Sequence, residues 1–180
     1  MGAIGLSTVR VALATLAERP LIEGLVQFYI YEFSEMPPVD PEGFAFNERG
    51  GYDPFRDMAD YWGREGYHPL IIRVDGRAAG FALVNTVSHF GGTVERNMGE
   101  FFLARLYRRA GVASEAVRQV VALYPGRWEV AVMARNFAAQ TFWPQAISSA
   151  AGVSRLRRLE GDGEHWQGPI WTFTVSAGKQ

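Results

Sequence analysis

The residues best suited to chemistry form one run, Glu100-Phe101-Phe102-Leu103-Ala104-Arg105-Leu106-Tyr107-Arg108-Arg109-Ala110-Gly111-Val112-Ala113-Ser114. Its first part has the apolar character of a strand, and its second part is a small-residue turn that opens a helix. The first amides of a helix have no intrahelical carbonyl to bind, and the helix dipole is positive at that end. An anion is therefore stabilised there without any special side chain. Gly111 and Ala113 keep the corner free of bulk, so phosphate oxygens can approach the amides of Gly111, Val112, Ala113 and Ser114. Arg108 and Arg109 add guanidinium donors suited to phosphate. Taken alone, the same turn also serves simply to lead a strand into a helix.

Three other sets of residues carry potential chemistry. Glu100 enters an otherwise apolar strand. It is either a solvent-facing carboxylate or a desolvated one, and desolvation would raise its pKa toward a value useful to a general base. In Gln27-Phe28-Tyr29-Ile30-Tyr31-Glu32-Phe33, residues three and four apart share a helix face. Tyr29 and Glu32 then either border a site for a cationic amine or belong to a packed aromatic wall. The histidines His68, His89 and His165 are too scattered to suggest a metal site, and no metal is expected. His89, in a loop, is the one singled out for contact with substrate.

Composition narrows the alternatives. The chain has 180 residues, 48% hydrophobic and 21% charged, with a net charge of -1. That suits one folded domain spanning residues 1–180 and supplies no electrostatic drive toward nucleic acid. With no cysteine there is neither a disulfide framework nor a thiolate nucleophile, and a cytoplasmic location fits. No apolar run approaches a membrane span, and the N-terminus lacks a signal-peptide pattern, so neither export nor membrane insertion is expected.

Elements able to hold these residues are legible in the periodicity. Leu6 to Ala12 alternates as a strand, and Leu16 to Phe33 has helical spacing that Met36-Pro37-Pro38 stops. Asp53-Pro54 reads as the start of a short helix through Trp62. Two apolar runs, His68 to Val74 and Arg77 to Val87, flank Asp75-Gly76 as a hairpin. A loop over Ser88 to Asn97 then leads into a strand from Met98 to Leu106. Gly111 to Leu123 predicts a helix closed by Pro125-Gly126, followed by a strand over Trp128 to Met133 and a helix from Asn136 to Ser149. Val153 to Glu160 and Pro169 to Val175 complete the pattern as strands.

With this order of elements, the chain resembles the GNAT superfamily of acyl-CoA-dependent N-acyltransferases over roughly residues 6 to 150. The family signature Arg/Gln-x-x-Gly-x-Gly/Ala is matched by Arg108, Gly111 and Ala113. A second pattern, an Asn followed by small and aromatic residues, is matched by Asn136, Ala139 and Phe142. The resemblance implies an α/β fold, a mixed twisted sheet of about seven strands flanked by about four helices and split beside its fourth and fifth strands. It implies acetyl-CoA as cofactor, its pyrophosphate held at the Arg108 to Ser114 turn. The pantetheine arm would lie near Phe102, Leu103, Arg105, Asn136, Ala139 and Phe142. It further implies direct acetyl transfer through a tetrahedral intermediate to a primary amine, small-molecule or peptide, with Glu100 as the candidate base. Homodimers are common in the family.

One departure matters. Many members carry a Tyr after the aromatic of the second pattern to protonate the departing thiolate, and Trp143 stands there in this chain. An indole cannot be that acid. Tyr29, Tyr107, Tyr124 or a water would have to replace it, or the step proceeds without an acid. The alternative is a catalytically inactive acyl-CoA-binding sensor on the same fold.

Overall fold

A computed structural model of the protein describes residues 8–36, 42–108 and 111–177. In chain order these form strand β1 (Val9–Leu13), helix α1 (Arg19–Phe33), strands β2 (His68–Val74), β3 (Arg77–Val87) and β4 (Thr93–Leu103), helix α2 (Val112–Leu123), strand β5 (Gly126–Ala131), helix α3 (Phe137–Ser148), and strands β6 (Val153–Glu160) and β7 (Pro169–Val175). All seven strands join one sheet in the order β1-β2-β3-β4-β5-β7-β6. Every pairing is antiparallel except β4 with β5. Among the described residues there are three α-helices where about four were expected, and no helix is long and apolar enough to cross a membrane.

One face of the sheet is apolar beneath α2 and α3, and the other is apolar over β2 to β4, where α1 covers it. Trp128, Val130, Trp171, Phe173 and Met98 pack with Val117, Val120 and Val121 of α2 and Trp143 and Ile147 of α3. On the other face Phe81, Leu83 and Phe102 pack with Ile22, Val26 and Ile30 of α1. The α1 spacing is four residues, which keeps one stripe inward.

Several boundaries differ from the sequence expectation for identifiable reasons. The segment read as a helix from Asp53 to Trp62 is a run of turns ending in a 3-10 turn over Asp60–Trp62. The Asp53 carboxylate, expected to cap that helix, accepts instead from Asn47 Nδ2 at 3.0 Å. Neighbouring Tyr52 is pinned by its amide to Gln27 Oε1 at 2.6 Å. The fourth strand begins at Thr93, five residues earlier than expected, and ends at Leu103. Its polar Asn97 is accommodated because Asn97 Nδ2 donates to Asn85 Oδ1 across the strands at 2.9 Å. Leu106, expected at its end, lies in a 3-10 turn over Arg105–Tyr107. The fifth strand runs from Gly126 rather than Trp128 and stops at Ala131. Leu6 and Ser7 of the expected first strand, Pro37 to Pro41 and Arg109 lie outside the described residues.

Two irregularities shape the sheet centre. Leu83 pairs with Glu100 and Val84 with Met98, so Gly99 is a bulge residue with no partner on β3. A Cβ at Gly99 would lie 2.7 Å from Asn85 Nδ2 and 2.9 Å from Tyr61 Oη, which only glycine avoids. The bulge turns Glu100 toward the face covered by α1, while Met98 stays on the opposite side. Second, β4 and β5 pair only at Arg96↔Trp128 and Asn97↔Glu129. Beyond that point they share no rungs, so the sheet opens between Met98–Leu103 and Val130–Ala131.

Candidate active site

At the far end of the opening, β4 leads through the Arg105–Tyr107 turn into α2. Gly111 is the N-cap with φ 78°, a left-handed conformation that penalises any side chain. Among the described residues no side chain caps this helix, and none lies within 4 Å of the place a Gly111 Cβ would take. The first amides of α2, those of Val112, Ala113 and Ser114, thus have no side-chain cap among the described residues. The acidic residue of the first turn, Glu115, is turned aside by Arg118 at 2.5 Å and Gln119 at 2.7 Å. The corner keeps its positive character and fits an anionic diphosphate.

Arg108 lies alongside this corner. Its Nε donates to Leu103 O at 2.6 Å, its guanidinium sits 5.7 Å from the Phe102 ring centroid, and its Nη2 pairs with Glu32 of α1. Glu32 is also held by Arg105 Nε at 3.2 Å, and Arg105 reaches Glu35 at 3.2 Å. Both oxygens of Glu32 are thus engaged by arginines of the β4–α2 connection. Glu32, expected at the amine, is thus paired with Arg108, expected at the phosphate, and with Arg105, expected beside the pantetheine arm.

Tyr29 and Glu100 do meet. Tyr29 Oη donates to Glu100 Oε2 at 2.5 Å, and the Tyr29 ring is fixed edge-on against Phe33, Phe55, Phe81 and Phe102. Burial pushes the Glu100 carboxyl up to about 7, against the lowering effect of the Tyr29 hydrogen bond. Burial first, and then the charge of Glu100, drive the Tyr29 hydroxyl well above its ordinary value, so it stays a donor. A carboxyl that titrates near neutrality is half ready to accept a proton at physiological pH.

Behind Glu100 lies a polar chain that the sequence did not signal. Asn85 Nδ2 donates to Tyr61 Oη at 2.8 Å, and Asn85 Oδ1 accepts from Asn97 Nδ2 and from the Val87 amide at 3.0 Å. Asn85, Asn97 and Tyr61 are all buried. This chain braces the bulge at the point where β4 and β5 part. The only hint in the sequence was two asparagines inside strand-like runs.

The second motif has structural work of its own. Asn136 caps α3, its side chain accepting from the Ala139 amide at 3.0 Å. Phe142 stacks on Phe101 with centroids 6.3 Å apart. Trp143 is buried against both rings, a core residue rather than an exposed acid. Of the alternative acids, Tyr107 packs beside α2 and Tyr124 stacks on His68 with centroids 4.4 Å apart. His89 stands apart from Tyr29 and Glu100. It packs edge-on against Trp166, and its amide donates to buried Glu129 at 2.9 Å.

A split mixed sheet, an open uncapped helix start and a carboxyl held near neutrality define an acyltransferase of the GNAT type. The model of the acetyltransferase (GNAT) family matches residues 30–146, and the chain belongs to that family. No curated protein matches the chain. Among solved structures, a GNAT-family acetyltransferase from Streptococcus agalactiae 2603 is similar over 95% of this chain and 96% of its own, with TM-score 0.63 and 14% identity. The aminoglycoside acetyltransferase AAC(6')-Ib, in complex with coenzyme A and kanamycin, is similar over 93% of this chain and 95% of its own, with TM-score 0.60 and 14% identity. PaiA N-acetyltransferase from Thermoplasma acidophilum, in complex with coenzyme A, gives 94%, 99%, TM-score 0.58 and 8% identity. At such identities the likeness is one of fold.

Proposed function

We propose that the protein transfers the acetyl group of acetyl-CoA directly to a primary amine. The observation that carries this reading is the pairing of β4 with β5, which stops at Asn97↔Glu129 just before Glu100 and leaves the two strands unpaired from there toward the uncapped start of α2. Acetyl-CoA supplies an activated thioester. The amides of Gly111, Val112, Ala113 and Ser114 hold its diphosphate, with Arg108 as the charged donor. The segment of β4 around Phe102 and Leu103, on the side that has no β5 partner, and the side chains of Ala139 and Phe142 border its arm.

Glu100 is the base. Its carboxylate takes the proton from the incoming ammonium, directly or through one water, and leaves a neutral amine able to attack. Tyr29 holds the carboxylate in place and, remaining protonated, keeps it from swinging into the aromatic wall. Amides of β4 in the opening are the donors for the developing oxyanion. Proton return to the thiolate falls to water or needs no acid, since a thiolate is a tolerable leaving group near neutral pH.

An acyl-CoA sensor is the second reading, favoured by the burial of Trp143 at the place where many relatives carry an acid. A thiol-release assay with a panel of primary amines separates the two. Amine-dependent release supports transfer. Tight acetyl-CoA binding with no release above the amine-free rate across the panel supports the sensor.

A further inference from the structure

The half of the sheet formed by β5, β7 and β6 carries a second concave site, on the side of the β4–β5 pairing away from the opening. Val94, Arg127, Arg157, Arg155, Thr172 and Thr174 are among the residues that enclose a cleft of about 320 Å3. Three exposed arginines thus line one small, open space in a protein whose net charge is -1. Neither Arg155 nor Arg157 forms an ion pair among the described residues. Among the described residues Arg127 pairs only with Glu95, itself half exposed, at 3.7 Å. Glu129 lines the inner wall, and its two oxygens accept from Ser88 Oγ and the His89 amide, each at 2.9 Å, which holds this carboxylate in place beside the three arginines.

The backbone is bent to make this arrangement. Ser154 pairs with Thr174 and Arg157 with Thr172, so Arg155 and Leu156 together face the single residue Phe173. Such a bulge re-aims side chains. Arg155 takes φ 57°, and the only other described non-glycine residue with positive φ is Asp75, in the β2–β3 hairpin turn. A left-handed Arg within a strand costs stability and persists where surrounding structure or function holds it. Edge strands also use charge and bulges to deter pairing, and the Arg158–Glu160 pair on β6 suits that task. Edge protection leaves two features unaccounted for: the contribution of Arg127 from β5, two strands inward, and the hydroxyls of Thr172 and Thr174 beside the guanidinium groups.

We propose that this cleft binds a small phosphate-bearing molecule. Its volume fits a small ligand rather than a peptide, guanidinium forks match phosphate oxygens, and three cations exceed what one carboxylate would need. The site is distinct from the diphosphate corner at Gly111, which lies at the other end of β4.

The test is calorimetric titration of inorganic pyrophosphate into the full chain at fixed ionic strength. Four proteins are compared: wild type, Arg155→Gly with Arg157→Gln, Thr172→Val, and Arg108→Ala as control for the other anion corner. Glycine at 155 relieves the backbone, so loss of folding is not built into the variant, and Thr172→Val offers a milder second probe. The expected result is a binding class weakened at least tenfold by the double variant, weakened measurably by Thr172→Val and unaffected by Arg108→Ala. Wild-type binding that is absent, or that only Arg108→Ala removes, overturns the proposal. So does a folded double variant that titrates like wild type; if it also self-associates in size-exclusion chromatography, the arginines guard the sheet edge instead.

Discussion

Replacing Glu100 by Gln should make the protein both slower and more stable, and the stability gain should grow with pH. The carboxyl titrates at about 7 in the folded protein against an ordinary 4.5, because burial disfavours its charged form. The folded state therefore holds this proton more tightly than the unfolded chain does. Protonation favours folding, so the contribution is fully present below pH 4.5, declines as pH rises toward 7 and is gone above it. At 1.36 kcal/mol per pH unit, the gap corresponds to a cost on the order of 3 kcal/mol above pH 8 and about 1 kcal/mol at pH 5.5. Glutamine carries no such penalty. The stability difference between variant and wild type should widen by about 2 kcal/mol from pH 5.5 to pH 8.5, read from urea melts at the two pH values. Acetyl transfer should fall by roughly 10²- to 10⁴-fold, the usual range for loss of a positioned base. Parallel pH dependences of stability would show that Glu100 is not desolvated, and an unchanged rate would remove it as the base.

Three further outcomes follow from the same geometry. Tyr29→Phe removes the hydrogen bond that holds the Glu100 carboxyl down, so the acid limb of the kcat/KM profile should move upward by about 1 to 2 pH units, the worth of a hydrogen bond to a charged group. A limb that stays in place would mean the two groups are uncoupled in solution. Glu32→Gln frees Arg108 from an ion pair on the protein surface, and acetyl-CoA should bind up to about fivefold more tightly by calorimetry, as such pairs are worth up to about 1 kcal/mol. Weaker binding would show that Glu32 positions Arg108 rather than competing for it. Gly99→Ala drives a Cβ into Asn85 and Tyr61 and should cost about 1 to 3 kcal/mol in denaturant melts, as overpacking does; a neutral result would mean the bulge relaxes freely.

The turn that opens α2 was legible because its signals are local. Arg108, Gly111 and Ala113 lie within six residues, and a positive φ at Gly111 is a property of one position. Strands β6 and β7 were equally plain from alternation and flanking turns. What stayed hidden depends on partners distant in sequence. Asn97 reads as a loop residue until Asn85 is placed opposite it, and the bulge at Gly99 is visible only through the register of β3. Asp53 looks like a helix cap until Asn47 takes its carboxylate. Glu32 was assigned toward substrate because α1 spacing puts it near Tyr29, but Arg105 and Arg108 approach it from 73 and 76 residues away. Charge pairing across such distances leaves no periodic trace.

The central claim is that acetyl-CoA lies in the opening between β4 and β5 with its diphosphate on the bare amides of α2. A crystal structure of the acetyl-CoA complex tests it most directly. Phosphate oxygens should lie within hydrogen-bond distance of amides between Gly111 and Ser114, with the thioester beside Glu100. A nucleotide bound on another surface, with the Gly111 corner closed by side chains, would contradict it.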